Sequence, residues 1–231
     1  MFIKNRDDSS HFISLSDIMT ALMMVFLFVS VAIIMQIQKH NEIVTNIQAN
    51  YKKQKEMLYA DLQAEFKEDM SKWGAKINED TLAVYFVGDD VRFDTGQSDV
   101  KPEFKATLAE FFPRYVQLIK KHKEAIQEVR IEGYTDSTGK AGQTMEERYF
   151  YNMKLSQDRT RSVLEYCLTL PNFTKDDFNY MKDFITANGL SFSRYIRDSK
   201  GQEDKAASRR VEFRILTNAE ATIESIVKEM N

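Results

Sequence analysis

The chain has 231 residues, 43% hydrophobic and 29% charged, which is room for one domain and a smaller appended element and is not the composition of a disordered protein. Its one cysteine, Cys167, excludes an intramolecular disulfide framework, and a formal charge of −3 argues against broad electrostatic binding to nucleic acid. Eight Gly and three Pro are few turn-makers, favouring long helices over an all-β sandwich, and the three histidines and one cysteine lie too far apart to suggest zinc.

After a short N-terminal segment, 1–11, comes the extreme feature of the sequence. From Phe12 to Ile37 there are 26 residues whose only ionisable side chain is Asp17. As a helix they would extend roughly 39 Å, against about 30 Å of bilayer hydrocarbon. The run is longer than the roughly 7 to 15 apolar residues of a signal peptide, and no small-residue cleavage site follows it. A retained transmembrane helix over 12–37 is therefore expected. Its orientation is poorly marked: Lys4 and Arg6 precede it, while Lys39, Lys52, Lys53 and Lys55 follow it, and charge counting alone would place the N-terminus outside. The C-terminal domain argues for the opposite orientation.

Residues 38–80 read as a juxtamembrane helix, because between 39 and 80 seven Lys balance eight Asp or Glu, without Pro and with one Gly. Val44, Ile47, Tyr51, Leu58, Leu62, Phe66, Met70, Trp73 and Ile77 recur mostly at steps of three or four and form one apolar stripe. That stripe either packs against its own domain or pairs two copies of the chain in parallel.

From Thr81 the pattern changes. Leu82 to Val87 is a compact apolar run bounded by Gly88-Asp89-Asp90 and followed by Val91-Arg92-Phe93, which suggests a strand with a turn. Ser98 or Asp99 is expected to cap a helix with Pro102 in its first turn and Phe104, Leu108, Phe111, Phe112, Tyr115, Leu118 and Ile119 on its buried face. Glu128 to Tyr134 alternates as a half-buried strand, 137–151 reads as a polar loop, and Asn152 to Leu170 as a helix stopped by Pro171. A third helix is expected over 174–186, and Arg210 to Leu216 alternates again. The fold class is α/β: helices against one mixed sheet over 81–217, followed by a C-terminal helix or tail, 218–231. Cys167, beside Val163 and Leu164, is expected in the core.

A carboxylate inside a spanning helix is expensive, and by default it marks an ion or proton path. The milder alternative is an acid near the membrane edge, solvated there. A single helix forms no pore, so an ion path would require a second membrane protein and a second copy of this chain. The segment Leu15-Ser16-Asp17-Ile18-Met19-Thr20-Ala21-Leu22-Met23 resembles the membrane helix of MotB-type stator subunits, whose usual pattern is aromatic-Ala-Asp-hydrophobic-Met/Leu-Thr. Leu15-Ser16 departs from the usual Tyr-Ala. The resemblance implies that Asp17 is the proton-accepting residue.

A second resemblance covers 81–217 and is to OmpA-like peptidoglycan-binding domains. It rests on Ile131-Glu132-Gly133-Tyr134-Thr135-Asp136-Ser137-Thr138-Gly139, on Asn152-Met153-Lys154-Leu155-Ser156-Gln157-Asp158-Arg159, and on Arg209-Arg210-Val211-Glu212-Phe213. It implies that Asp136 and Arg159 grip the zwitterionic end of diaminopimelate in a wall peptide, with Thr135, Asn152 and Leu155 in support. A carboxylate suits the ammonium, and a guanidinium fork suits the carboxylate. Alternatively, Asp136 and Arg159 pair with each other, and Arg209 and Arg210 either add positive charge near the site or make structural ion pairs.

Together the resemblances imply a MotB/ZorB-type subunit, not an enzyme and without a cofactor: a proton-driven inner-membrane motor component with cytoplasmic N-terminus, periplasmic domain, a MotA/ZorA-like multi-span partner and peptidoglycan as anchor. Sodium remains open as the coupling ion, since both kinds of stator share the acid. The short, weakly basic N-terminal segment and the single compact juxtamembrane helix favour the ZorB subunits of Zorya anti-phage defence over flagellar stators. A passive membrane-to-wall tether is the remaining alternative, and it would have no need of Asp17.

Overall fold

The computed structural model describes residues 8–87 and 92–218, with side chains from Ser16 onward outside 88–91. The readings of 1–7 as a cytoplasmic segment, of 88–91 as a turn and of 219–231 as a terminal helix or tail lie outside the described residues. The chain divides into two compact units between Ala49 and Asn50.

A sequence with neither Gly nor Pro from Asp8 to Phe66 gives nothing to interrupt a helix, and α1 spans that whole stretch. Its part in the first unit is long and apolar enough to cross a membrane. Leu22, Phe26 and Phe28 are 69%, 73% and 68% exposed, so apolar side chains point outward on every face, as a lipid-facing helix requires. Two of its hydroxyls are satisfied locally: Thr20 Oγ1 donates to the Ser16 carbonyl and Ser30 Oγ to that of Phe26, each at 2.8 Å.

The second unit holds the end of α1, α2 (Met70–Trp73) and a five-stranded sheet with α3 (Pro102–Lys121), α4 (Met145–Leu168), α5 (Lys175–Met181) and α6 (Lys205–Ser208). The strands are β1 (Ala75–Asn78), β2 (Ala83–Val87), β3 (Ile126–Tyr134), β4 (Ile185–Gly189) and β5 (Arg210–Thr217), in spatial order β1-β2-β5-β3-β4. β3 and β4 are parallel, and the other neighbouring pairs are antiparallel. Alternation places Val84 and Phe86, Val129 and Ile131, and Val211, Phe213 and Ile215 in one core with the buried face of α3. Phe111 is its hub, with ring centroids 5.0–6.0 Å from Phe66, Trp73, Phe86, Tyr115 and Phe213. Such pairs contribute roughly 0.5–1.5 kcal/mol each beyond area burial.

Leu58, Leu62, Phe66 and Trp73 are buried in this core, so the lower stripe packs against its own domain. The reading of one helix through residue 80 is corrected. α1 ends at Phe66; Gly74, at φ 57°, caps α2 in the left-handed region, and the chain then turns into β1, so Ile77 lies on a strand and the sheet begins at Ala75, before the expected 81.

Other boundaries shift for local reasons. Arg92 and Phe93 lie in a turn beyond the end of β2 at Val87. The residue before α3 is Lys101, not Ser98 or Asp99, and it makes no side-chain cap; Pro102 takes the first helical position, where its missing N–H is harmless. α4 starts at Met145, inside the expected 137–151 loop, because Thr144 and Glu147 form a reciprocal capping box. It ends at Leu168, two residues before Leu170, where Thr169 Oγ1 bonds back to Glu165. The helix expected over 174–186 is only α5, after which the chain becomes β4. At Gly189, a Cβ would lie 2.2 Å from the backbone nitrogen of Gln157, so the absence of a side chain lets α4 approach the sheet. Cys167 is fully buried, and desolvation pushes its thiol well above the usual range.

Candidate peptide-binding cleft

β3 carries the chain to the cleft, and the loop after it is fixed by its own polar groups. Thr135 N donates to Ser191 O at 2.9 Å, and Asp136 Oδ1 accepts from Thr138 N at 2.8 Å in a local turn. Ser137 is held by Glu203, whose two carboxylate oxygens accept its N–H at 2.8 Å and its hydroxyl at 2.5 Å. Asn152 Nδ2 donates to Thr138 O at 2.8 Å, tying the loop to α4.

Positions 152, 155 and 159 share one face of α4. Asn152 and Arg159 are buried there, and Leu155 is half-buried. Arg159 donates from Nε to Gln97 O at 2.8 Å and from Nη2 to Asp94 O at 3.3 Å, and its guanidinium lies 4.7 Å from the Phe93 ring centroid. Asp136 Oδ2 accepts from Arg209 Nη1 at 2.7 Å. Burial pushes the Asp136 carboxyl up, but Arg209 and the Thr138 N–H outweigh it and hold it below its ordinary value.

These residues line a cleft of about 520 Å³, within the range of small-molecule sites but unusually polar. Among the described residues, Lys140, Arg159, Lys205 and Arg209 bring positive charge to it, and Asp136 brings a single carboxylate. The Thr135 hydroxyl, on a residue only 3% exposed, lines the cleft without a hydrogen-bond partner. Such a group is costly unless something occupies the cleft and bonds to it. The donors and acceptors suit a zwitterion; no arrangement of nucleophile and base is present among the cleft-lining residues.

Residues 92–212 match the OmpA family. Over 226 residues the chain is 38% identical to the Zorya protein ZorB of Escherichia coli strain Crooks, covering 98% of this chain and 96% of that one. The chain belongs to the ZorB family. Among solved structures, a MotB-like protein from Desulfovibrio vulgaris aligns at TM-score 0.48 and 22% identity, covering 70% of this chain and 90% of its own. The cell wall anchor of the T6SS from Pseudomonas aeruginosa aligns at TM-score 0.46 and 20% identity, covering 68% and 97%.

In this ZorB-family chain, the five residues expected to bind a wall peptide, Thr135, Asp136, Asn152, Leu155 and Arg159, all line the one cleft. The alternative of an Asp136–Arg159 pair gives way to Asp136–Arg209, so Arg209 adds its charge inside the site. Arg210 takes the structural role, bonding Glu212 at 2.5 Å with its guanidinium 3.7 Å from the Tyr134 ring centroid. Sequence reasoning missed Lys140, Tyr151 and Lys205, and also Glu203, which carries no motif of its own. Asp17 is not in the cleft: it lies on α1 in the first unit, where its side chain is exposed.

Proposed function

We propose that this chain is the wall-anchored subunit of an ion-driven inner-membrane motor of Zorya-type anti-phage defence. The observation that carries this reading is the pairing, in one ZorB-family chain, of a span-length apolar helix bearing Asp17 alone with a folded cleft containing Asp136 and Arg159. The N-terminus is cytoplasmic and the cleft periplasmic, where peptidoglycan is within reach. Two copies associate with a multi-span A-type partner that completes the path a single helix cannot form. Asp17 accepts and releases a proton, its two charge states bias alternative contacts with the partner, and wall binding holds this subunit still while the partner moves.

In the cleft, Asp136 receives the ammonium of a diaminopimelate side chain and Arg159 the adjoining carboxylate, with Asn152 holding the loop and Thr135 offering its hydroxyl. The test is purification of the tagged chain from membranes of its native host, with partners identified by mass spectrometry, and phage-resistance and motility assays of wild type and Asp17→Asn. A multi-span partner and loss of resistance alone support the defence motor. Loss of motility indicates a flagellar stator, and an indifferent Asp17→Asn with no partner leaves a passive tether.

A further inference from the structure

The cleft holds more positive charge than a single zwitterion can use. Among the described residues, Lys140, Arg159, Lys205 and Arg209 line it together with one acid, Asp136, already bonded to Arg209. Arg159 spends part of its guanidinium on the carbonyls of Gln97 and Asp94. Lys140 and Lys205 differ from both. Each is exposed, and neither has a carboxylate within ion-pair distance among the described residues. The Lys140 ammonium stands 5.0 Å from the centroid of Tyr151, another lining residue, so it is directed along the cleft wall. Lys205 opens α6, whose C-terminal cap is Arg209 itself. The two lysines thus line the same cleft as the Asp136–Arg209 pair, one on the loop after β3 and one on the segment before β5.

We infer that Lys140 and Lys205 form a second anionic subsite, so that the cleft selects a peptide stem bearing at least one free carboxylate beyond the one next to its ammonium. Asp136 satisfies one ammonium, Arg159 one carboxylate, and the lining still carries excess positive charge, which favours further negative charge on the ligand. A stem of alanine, γ-linked glutamate, diaminopimelate and terminal alanine offers two such groups, the glutamate α-carboxylate and the C-terminal carboxylate. Amidation removes both charges and leaves the diaminopimelate centre intact. This inference rests on the wall-binding reading and deepens it to a preference for unamidated stems.

The experiment is calorimetric titration of the detergent-solubilised full chain with synthetic L-Ala-γ-D-Glu-meso-diaminopimelate-D-Ala, and with the same peptide amidated at the glutamate α-carboxylate and the C-terminus. Two exposed ion pairs predict about tenfold tighter binding of the free acid, with the gap shrinking as salt is raised. The Lys140→Gln, Lys205→Gln double variant should bind both peptides at the affinity of the amidated one. Equal binding of the two peptides by wild type, or a preference that survives in the double variant, overturns the second subsite and leaves the wall-binding reading standing. Binding of neither peptide by wild type overturns that reading, and the subsite with it.

Discussion

Arg209 bonds Asp136 at 2.7 Å across 73 positions of sequence, which ties the entry of β5 to the loop after β3 and helps hold the acid in the cleft below its ordinary pKa. Arg209→Gln should raise the Asp136 pKa, because it removes the main group opposing the upward push of burial. The sign for stability follows. A carboxyl whose folded pKa is depressed contributes stability above its unfolded value of about 3.9, and loses it as pH falls through the lower folded value. In Arg209→Gln the folded value moves toward or past the unfolded one, so that contribution should shrink. Carboxyl carbon NMR titration of labelled aspartate reads the shift, and an unmoved Asp136 resonance would refute the pairing as its cause.

Gly189→Ala should destabilise the domain and weaken the cleft together. The added methyl meets the Gln157 nitrogen at 2.2 Å and the Ser156 carbonyl carbon at 2.6 Å, both backbone atoms that cannot swing aside. Overpacking of this kind costs about 1–3 kcal/mol. The strain falls on α4, which carries Asn152, Leu155 and Arg159. Stability in urea and stem-peptide binding should therefore both decline; binding unchanged beside the expected loss of stability would show that α4 does not shift.

Much of this was legible from residue pattern because the core obeys simple periods. Phe104 through Ile119 at helical spacing, and Val211, Phe213 and Ile215 in alternation, state their buried faces outright, while the cleft's five expected residues come from the family resemblance that two motifs carry. β1 and β4 were not legible. Ala75–Asn78 has only Ile77 as a large apolar side chain, and Ile185–Gly189 only Ile185, since edge strands need little burial and take their stability from ladder bonds to β2 and β3. The start of α4 was written in Thr144 and Glu147. The Asp136–Arg209 bond could not be ranked against an Asp136–Arg159 bond by spacing, because both arginines lie far along the chain and only the tertiary fold decides between them.

The end of α1 belongs to the folded core, so Phe66→Ala should cost about 3–5 kcal/mol. Phe66 is fully buried and its ring lies 6.0 Å from that of Trp73 and 5.1 Å from that of Phe111. Trp73 is the chain's one tryptophan, so its fluorescence reports unfolding directly. A change below about 1 kcal/mol would mean that α1 only touches the domain.

Asp61 of α1 is fastened to the end of α3, accepting from Lys121 at 2.7 Å and meeting His122 Nε2 at 2.6 Å. Lys121 and then His122 hold its carboxyl below the ordinary value. Its contribution should therefore be present above about pH 4 and fade as pH falls through the depressed folded value. Asp61 is about a third exposed, so Asp61→Asn should cost less than about 1 kcal/mol at neutral pH. The gap between wild type and variant, read from urea midpoints at several pH values, should close in acid; a gap independent of pH would assign the effect to packing.

Asp17→Asn tests the membrane half of the proposal apart from the wall half. The substitution keeps size and helix compatibility while removing the only ionisable group between residues 12 and 37, and a neutral amide is cheaper than a carboxylate in lipid. Insertion, partner recovery and binding to isolated peptidoglycan sacculi should all survive, and phage resistance should be lost. Arg159→Gln should do the reverse at the wall: sacculus binding falls while the span and its partner remain. If Asp17→Asn instead abolishes partner recovery, the acid is an assembly contact and not a carrier, because a group needed only for ion transfer leaves the resting complex intact.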